Sequence, residues 1–110
     1  MKKNIIKSFS FLALILVALL TLAGCNKVTN KNYKKIKTDM TKAKVVDILG
    51  EEMDSTMYGD YTVLYWFDGA KNYQEACEKV QKGKTVKYIE VTLQSNKVVT
   101  KNFGNFAVEE

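Results

Sequence analysis

An apolar run from Phe11 to Leu20 sets the first limit on what this chain can fold into. Lys2, Lys3 and Lys7 precede it, and Leu22-Ala23-Gly24-Cys25 closes it. Beyond Cys25 the chain turns polar. A charged start, a short apolar middle and small residues at the exit describe a secretory signal rather than a packed helix. The run is also short of the about 20 apolar residues that a membrane span needs. The folded body is therefore expected to come from the residues beyond Cys25. Setting aside residues 1 to 24 of the 110 leaves 86, which is one small domain with no room for two. A domain of that size buries only about 60–65% of its unfolded surface, so its stability margin is narrow.

The ending of the run carries a second signal. Leu22-Ala23-Gly24-Cys25 resembles the lipobox of bacterial lipoproteins. In that family the cysteine thiol receives a diacylglycerol and the peptide is cut just before it, here between Gly24 and Cys25. Each buried methylene contributes about 0.8 kcal/mol, and two acyl chains hold a protein at a membrane without a spanning helix. The resemblance thus implies a lipid anchor on Cys25 and a place on the extracytoplasmic face of the cell membrane. An ordinary signal peptide with a chance cysteine and an uncleaved anchor helix are the alternatives. The abundance of Lys, Asn, Ile and Tyr fits an AT-rich genome, as in many Gram-positive bacteria.

Charge and cysteine content narrow the function classes. The whole chain carries +5, but three of its 17 basic residues and none of its 12 acids precede Cys25, so the remainder carries +2. The basicity belongs largely to the targeting segment and does not argue for nucleic-acid binding. Every basic residue is lysine, a hydrated point charge without the planar fork that clamps phosphate or carboxylate. Once Cys25 is acylated, Cys77 is left without a partner for a disulfide. With no histidine to activate it, Cys77 reads as a small buried hydrophobe rather than a nucleophile. Nothing in the sequence calls for a cofactor or a metal.

Residues 25–32 read as a lipidated tether, polar and without hydrophobic period. Lys27, Lys31, Lys34, Lys35 and Lys37 cluster here; near an anionic leaflet each would contribute about 1 kcal/mol. The competing reading is a solvated linker. Tyr33 and Ile36 share one face of a short helix. Thr41 is placed to cap a second helix, Val45, Ile48 and Leu49 form its buried stripe, and Gly50 ends it. Met53, Met57 and Tyr58 suit a short strand, with a turn at Gly59-Asp60. Tyr61 to Phe67 is dense in aromatic and branched residues and reads as a strand. Tyr73, Ala76, Cys77 and Val80 repeat at helical spacing within Asn72 to Gly83. Thr85 to Leu93 and Lys97 to Phe103 read as two further strands, joined at Ser95-Asn96 without the glycine such loops favour. An unbroken register across that hairpin pairs Leu93 with Val98, Val91 with Thr100, Glu90 with Lys101, Thr92 with Val99 and Tyr88 with Phe103. Residues 105–110 read as a frayed tail.

Tyr33-x-x-Ile36, Asp39-Met40-Thr41 and Val45-x-x-Ile48-Leu49-Gly50, followed by the strand ending near Trp66 and by Ile89-x-Val91-x-Leu93 and Lys97-Val98-Val99, resemble a known group. It comprises small bacterial lipoproteins with the β-lactamase-inhibitor-protein fold, including a Gram-positive lipoprotein domain and the SmpA/OmlA lipoproteins of outer-membrane assembly. The resemblance covers most of residues 33 to 103. It implies an α+β fold over residues 33–104: two short N-terminal helices packed on an antiparallel meander of three to four strands, with an extra surface helix inserted between strands. Two departures stand out. Asp39 replaces the usual glycine, and Asp tolerates left-handed backbone better than most residues. Asn72 to Gly83 is longer than the usual connection.

In the resembled fold helices cover one sheet face and the other meets a partner protein. The implied activity is non-catalytic binding of an unidentified envelope protein. Tyr65, Phe67, Tyr88 and Phe103 are the candidate contact face, if Leu64 and Trp66 point inward. The competing reading is that the helix from Tyr73 to Val80 covers these aromatics as a second core. Inhibition of a β-lactamase or wall enzyme is a variant of the binding reading. A cell-wall hydrolase is the alternative from another class, using Asp60 with Asp68 or Glu51 with Glu52 as paired carboxylates.

Overall fold

The strand Tyr61–Asp68 decides the architecture. Its burial runs unbroken from Val63 through Leu64, Tyr65 and Trp66 to Phe67. Neighbouring side chains on a strand point to opposite faces, so both faces of the sheet around it must be covered. The computed structural model of the protein, which describes residues 27–108, shows how. Gly24, Cys25 and the signal expected before them lie outside the described residues. Within these, the chain is α+β, with three helices and a four-stranded antiparallel sheet. The elements run α1 (Asn30–Lys35), α2 (Lys42–Leu49), β1 (Asp54–Tyr58), β2 (Tyr61–Asp68), α3 (Tyr73–Gln81), β3 (Lys87–Gln94) and β4 (Lys97–Asn105). The strands lie in sequence order, a simple meander.

One face carries the larger core. Leu64 and Trp66 of β2, Ile89, Val91 and Leu93 of β3 and Val98 of β4 pack with Val28, Ile36, Val45 and Leu49. The two helices that supply this cover are capped as their sequences dictate. Thr29 and Thr41 each accept a backbone N–H in the first turn, from Asn32 and Lys44. Gly50 ends α2 at a φ of 83°, a left-handed position that favours glycine. Its carbonyl accepts from the Trp66 indole Nε1 at 2.9 Å, so the helix terminus satisfies the one polar atom of the core's largest side chain. Asp39 stands at φ 71°, and the left-handed turn expected there is made without glycine. Asp39 N–H donates to Val98 and Val98 N–H to Met40, each at 2.9 Å, which closes the outer edge of β4 beside the turn.

The opposite face carries a second core. Val63, Tyr65 and Phe67 meet Ala70, Ala76, Val86 and Phe106, with Cys77, Val80, Tyr88 and Val108 at its margin. The helix α3, capped by Asn72 and fully burying Ala76, supplies part of this cover. Phe106 supplies the rest. Its N–H donates to Val86 at 2.7 Å, and its ring meets Phe67, Tyr73 and Tyr88 edge-on at 5.5, 5.1 and 5.6 Å.

Three expectations are corrected. The unbroken β3–β4 register fails because Val99 has no counterpart: Leu93 faces Val98, but Thr92 faces Thr100. This bulge moves everything beyond it by one residue. Val91 then faces Lys101, Glu90 faces Asn102, Tyr88 faces Gly104, and Phe103 falls opposite Ile89. Ser95 and Asn96 both adopt positive φ, 52° and 65°, and close the two-residue loop without glycine. Structure also reaches further at both ends than the sequence suggests. Val28 is buried and α1 begins at Asn30, inside the expected tether, while β4 and Phe106 continue into the expected tail.

The first core and its surface ion pair can each be probed by one substitution. Ile36→Ala removes a side chain with no exposed surface from the first core, and chemical denaturation should show a loss of about 2–5 kcal/mol. Glu52 accepts from Lys42 at 3.0 Å. Desolvation raises its pKa, but the Lys42 hydrogen bond and charge prevail and hold it below 4.5. A depressed folded value stabilises above the unfolded pKa and ceases to do so as pH falls through the folded one. Glu52→Gln should therefore lose at most about 1 kcal/mol at neutral pH, and denaturation curves at descending pH should show the deficit shrinking below pH 4.5.

Candidate protein-contact surface

The four aromatics expected to share one face divide. Tyr65, Phe67 and Tyr88 do lie together on the α3 side of the sheet, but Tyr65 and Phe67 are buried in the second core and Tyr88 sits at its margin. Leu64 and Trp66 point to the other side, as that choice of face requires. Phe103 is on the first-core side. The bulge at Val99 turns it there, and its ring stacks on Tyr33 at 5.5 Å. Lys101 is turned the same way, with Nζ 4.2 Å from the Tyr33 ring centre and 3.0 Å from the Tyr33 carbonyl. The helix from Tyr73 onward thus covers the aromatics, and the second-core reading describes Tyr65 and Phe67.

Exposed aromatic surface lies elsewhere, at the tip of the β1–β2 hairpin. Tyr58 and Tyr61 face each other across the Gly59-Asp60 loop. Gly59 takes a φ of 58°, and glycine at the first loop position is the arrangement of a type II′ turn. Met57 is 72% exposed, Tyr58 66% and Tyr61 43%. Rows of facing residues extend this tip across the sheet on the α3 side: Tyr58, Tyr61, Gln94 and Lys97, then Thr56, Val63, Thr92 and Thr100. Tyrosine suits such a surface because a rigid ring offers contact area and its hydroxyl remains hydrated.

The next row holds Asp54, Tyr65, Glu90 and Asn102. Burial pushes the Tyr65 phenol up to about 12, helped by the negative charge of Glu90 and Asp54 nearby. Burial and Glu90 also raise Tyr88. Asp54 accepts from the Tyr73 N–H at 2.8 Å and so ties β1 to the first turn of α3.

A family model described as Beta-lactamase inhibitor (BLIP) matches residues 29–108. The chain belongs to the β-lactamase inhibitor (BLIP) family. No curated protein and no solved structure matches it. The BLIP match starts at Thr29, the cap of α1, and ends at Val108, so the family domain contains every helix and strand of the described residues.

Asp60 and Asp68, considered as a catalytic pair, do not form one in this BLIP domain. Asp60 and Asp68 stand at opposite ends of β2, about 25 Å apart at the rise of an extended chain. Paired carboxylates act at about 5–10 Å. Glu52 is engaged by Lys42. Among the described residues no group of three His, Cys, Asp or Glu side chains is placed to hold a metal ion.

Sequence reasoning does not reach the hairpin tip as a contact surface, because aromatic residues in strands read as core. The available signal is Tyr58-Gly59-Asp60-Tyr61, two tyrosines bracketing a turn dipeptide. A turn leaves its flanking side chains at the end of the sheet, where little packs on them.

Proposed function

We propose that this chain is a non-catalytic protein-binding module, held by lipid on Cys25 at the extracytoplasmic face of the cell membrane, that docks its β1–β2 hairpin tip on an envelope protein. The observation that carries this reading is the facing pair Tyr58 and Tyr61, exposed on the α3 side of the hairpin tip, with Met57 exposed on its other face, in a domain of the BLIP family. The family name supports an enzyme, a β-lactamase or a wall enzyme, as the class of partner, with inhibition as the outcome of docking.

The course of the chain supports the anchored arrangement. Val28 is buried, and three residues from Cys25 to Val28 reach only about 10 Å. A lipid on Cys25 would hold the domain against the headgroups. Lys27 runs beside Gly50, whose carbonyl holds Trp66 near the far end of β2. Tyr61 begins that strand, about 17 Å from Trp66. The tip and the anchor would thus lie at opposite ends of the sheet, with the tip turned away from the bilayer. Lys31, Lys34 and Lys35 of α1 would lie toward the membrane end, where an anionic surface attracts them.

Two outcomes test the parts separately. Cys25→Ala should move the protein from the membrane fraction to the medium, and the protein from wild-type membranes should show a diacylglyceryl mass on Cys25. A wild-type protein that carried no diacylglyceryl mass and still began at its original first residue would defeat the anchor. The joint variant Met57→Ala, Tyr58→Ala and Tyr61→Ala should weaken crosslinked capture of the envelope partner by a factor of about ten or more, while its melting temperature stays close to wild type. A truncated hot-spot residue typically costs about 2 kcal/mol or more. Undiminished capture would defeat the tip.

A further inference from the structure

Beside the hairpin tip, β1 and β2 meet the start of α3 around a cavity of about 300 Å³ lined by Asp54, Ser55, Thr56, Tyr58, Tyr65 and Tyr73. That volume is at the lower end of the about 300–1,000 Å³ of small-ligand sites. Three tyrosine rings converge on it. Tyr65 and Tyr73 meet edge to face, their centres 5.3 Å apart and their planes at 68°, and Tyr58 stands at the solvent side. Tyr65 and Tyr73 also line a second hollow of about 530 Å³, whose charged residue is Glu90. Glu90 and Asp54 flank Tyr65 on the same cross-strand row. The linings of both hollows contain carboxylates and no lysine, although lysines outnumber acids in the chain, 17 to 12.

We propose that this cavity receives one cationic side chain, a lysine or an arginine, presented by the partner protein beside its contact with the hairpin tip. The inference rests on the docking reading and gives the partner a chemistry. A tyrosine ring presents a negative face, and a cation within about 6 Å of its centre is attracted to it, more strongly where water is excluded. Two rings set at a steep angle offer a corner rather than a flat wall. The carboxylates add the opposite charge. Asp54 already accepts from the Ser55 and Tyr73 N–H groups, at 2.9 and 2.8 Å, which fixes it in place and leaves its net charge intact. Glu90 is held by Asn102 at 3.1 Å. Tyr65, its phenol raised to about 12, keeps its proton throughout the physiological range. It therefore remains a neutral wall and hydrogen-bond donor. An anion would meet Asp54 in the cavity wall, with Glu90 beyond Tyr65, and no counter-charge in the lining; a neutral apolar group would leave that charge unused.

The test uses the mature lipidated protein in detergent and three probes, the capped tripeptides acetyl-Gly-Lys-Gly-amide, acetyl-Gly-Arg-Gly-amide and acetyl-Gly-norleucine-Gly-amide. NMR titration of tyrosine ring signals should show saturable binding of the lysine or arginine probe, with shifts confined to Tyr58, Tyr65 and Tyr73. The norleucine probe, which lacks the charge, should bind at least about tenfold more weakly. Glu90→Gln keeps the one acceptor oxygen that Asn102 uses and removes charge; it should weaken the cationic probe roughly three- to tenfold without changing the melting temperature. Asp54→Asn removes charge but also one of the two acceptors used by the Ser55 and Tyr73 N–H groups; it should weaken the cationic probe by at least as much and lower the melting temperature. Equal binding of norleucine, no binding of either cation, or indifference to both substitutions would overturn the proposal. These titrations require no partner. A negative result with partner capture still lost on mutation of Met57, Tyr58 and Tyr61 would sink the cation site alone, and the reverse result would sink the tip alone.

Discussion

The architecture rests on the double burial of β2. Five consecutive side chains of that strand avoid water, and one covering layer can serve only every second one. The domain therefore needs a layer on each side of a four-stranded sheet. The first layer comes from the segment before the sheet, through Val28, Ile36, Val45 and Leu49. The second comes from the segment between β2 and β3, and from Phe106 beyond β4. Trp66 does two jobs with one side chain: its ring fills the first core and its N–H donates to the carbonyl of Gly50, the residue that caps α2. A small domain gains from such economy, because it has little apolar surface to spare.

Much of this was legible in the sequence where the signal is local. The cap at Thr41, the stripe of Val45 and Leu49 and the stop at Gly50 are contained in ten residues and appear as read. The alternation of Ile89, Val91 and Leu93 fixes the buried side of β3. Asp39 takes a positive φ of 71°, the left-handed turn expected there. The failures involve features that local patterns do not carry. An extra residue at Val99 leaves the composition of β4 unchanged yet reverses the facing of Lys101 and Phe103. The opposite-charge pairing of Glu90 with Lys101 looked favourable, but the bulged arrangement gives Lys101 the Tyr33 carbonyl and ring, and gives Phe103 the same ring to stack on. Phe106 lies beyond the last clear alternation, and only the three-dimensional gap beside Tyr88 explains its burial.

The contact surface illustrates the same division. An aromatic residue in a strand is equally at home in a core or at a recognition site, and sequence does not separate the two. Tyr65 and Tyr58 lie on the same side of the sheet, a few residues apart, yet one is 8% exposed and the other 66%. Position relative to α3 makes the difference. The helix covers the end of the sheet near Phe67 and stops short of the hairpin. The end of the sheet that α3 leaves uncovered is therefore where the exposed tyrosines gather.

The unbroken burial of β2 has a cost before the domain exists. Thr62 to Phe67 is an uncharged, proline-free stretch of branched and aromatic residues, the composition from which cross-β aggregates nucleate when chains meet unfolded. Asp60, in the hairpin turn, and Asp68, the last residue of β2, bracket it, both exposed and apart from either core. Flanking charges of this kind act as gatekeepers, since stacking copies of the segment in register would stack like charges at both ends. The two carboxylates thus place charge at both ends of the stretch that the two cores later enclose.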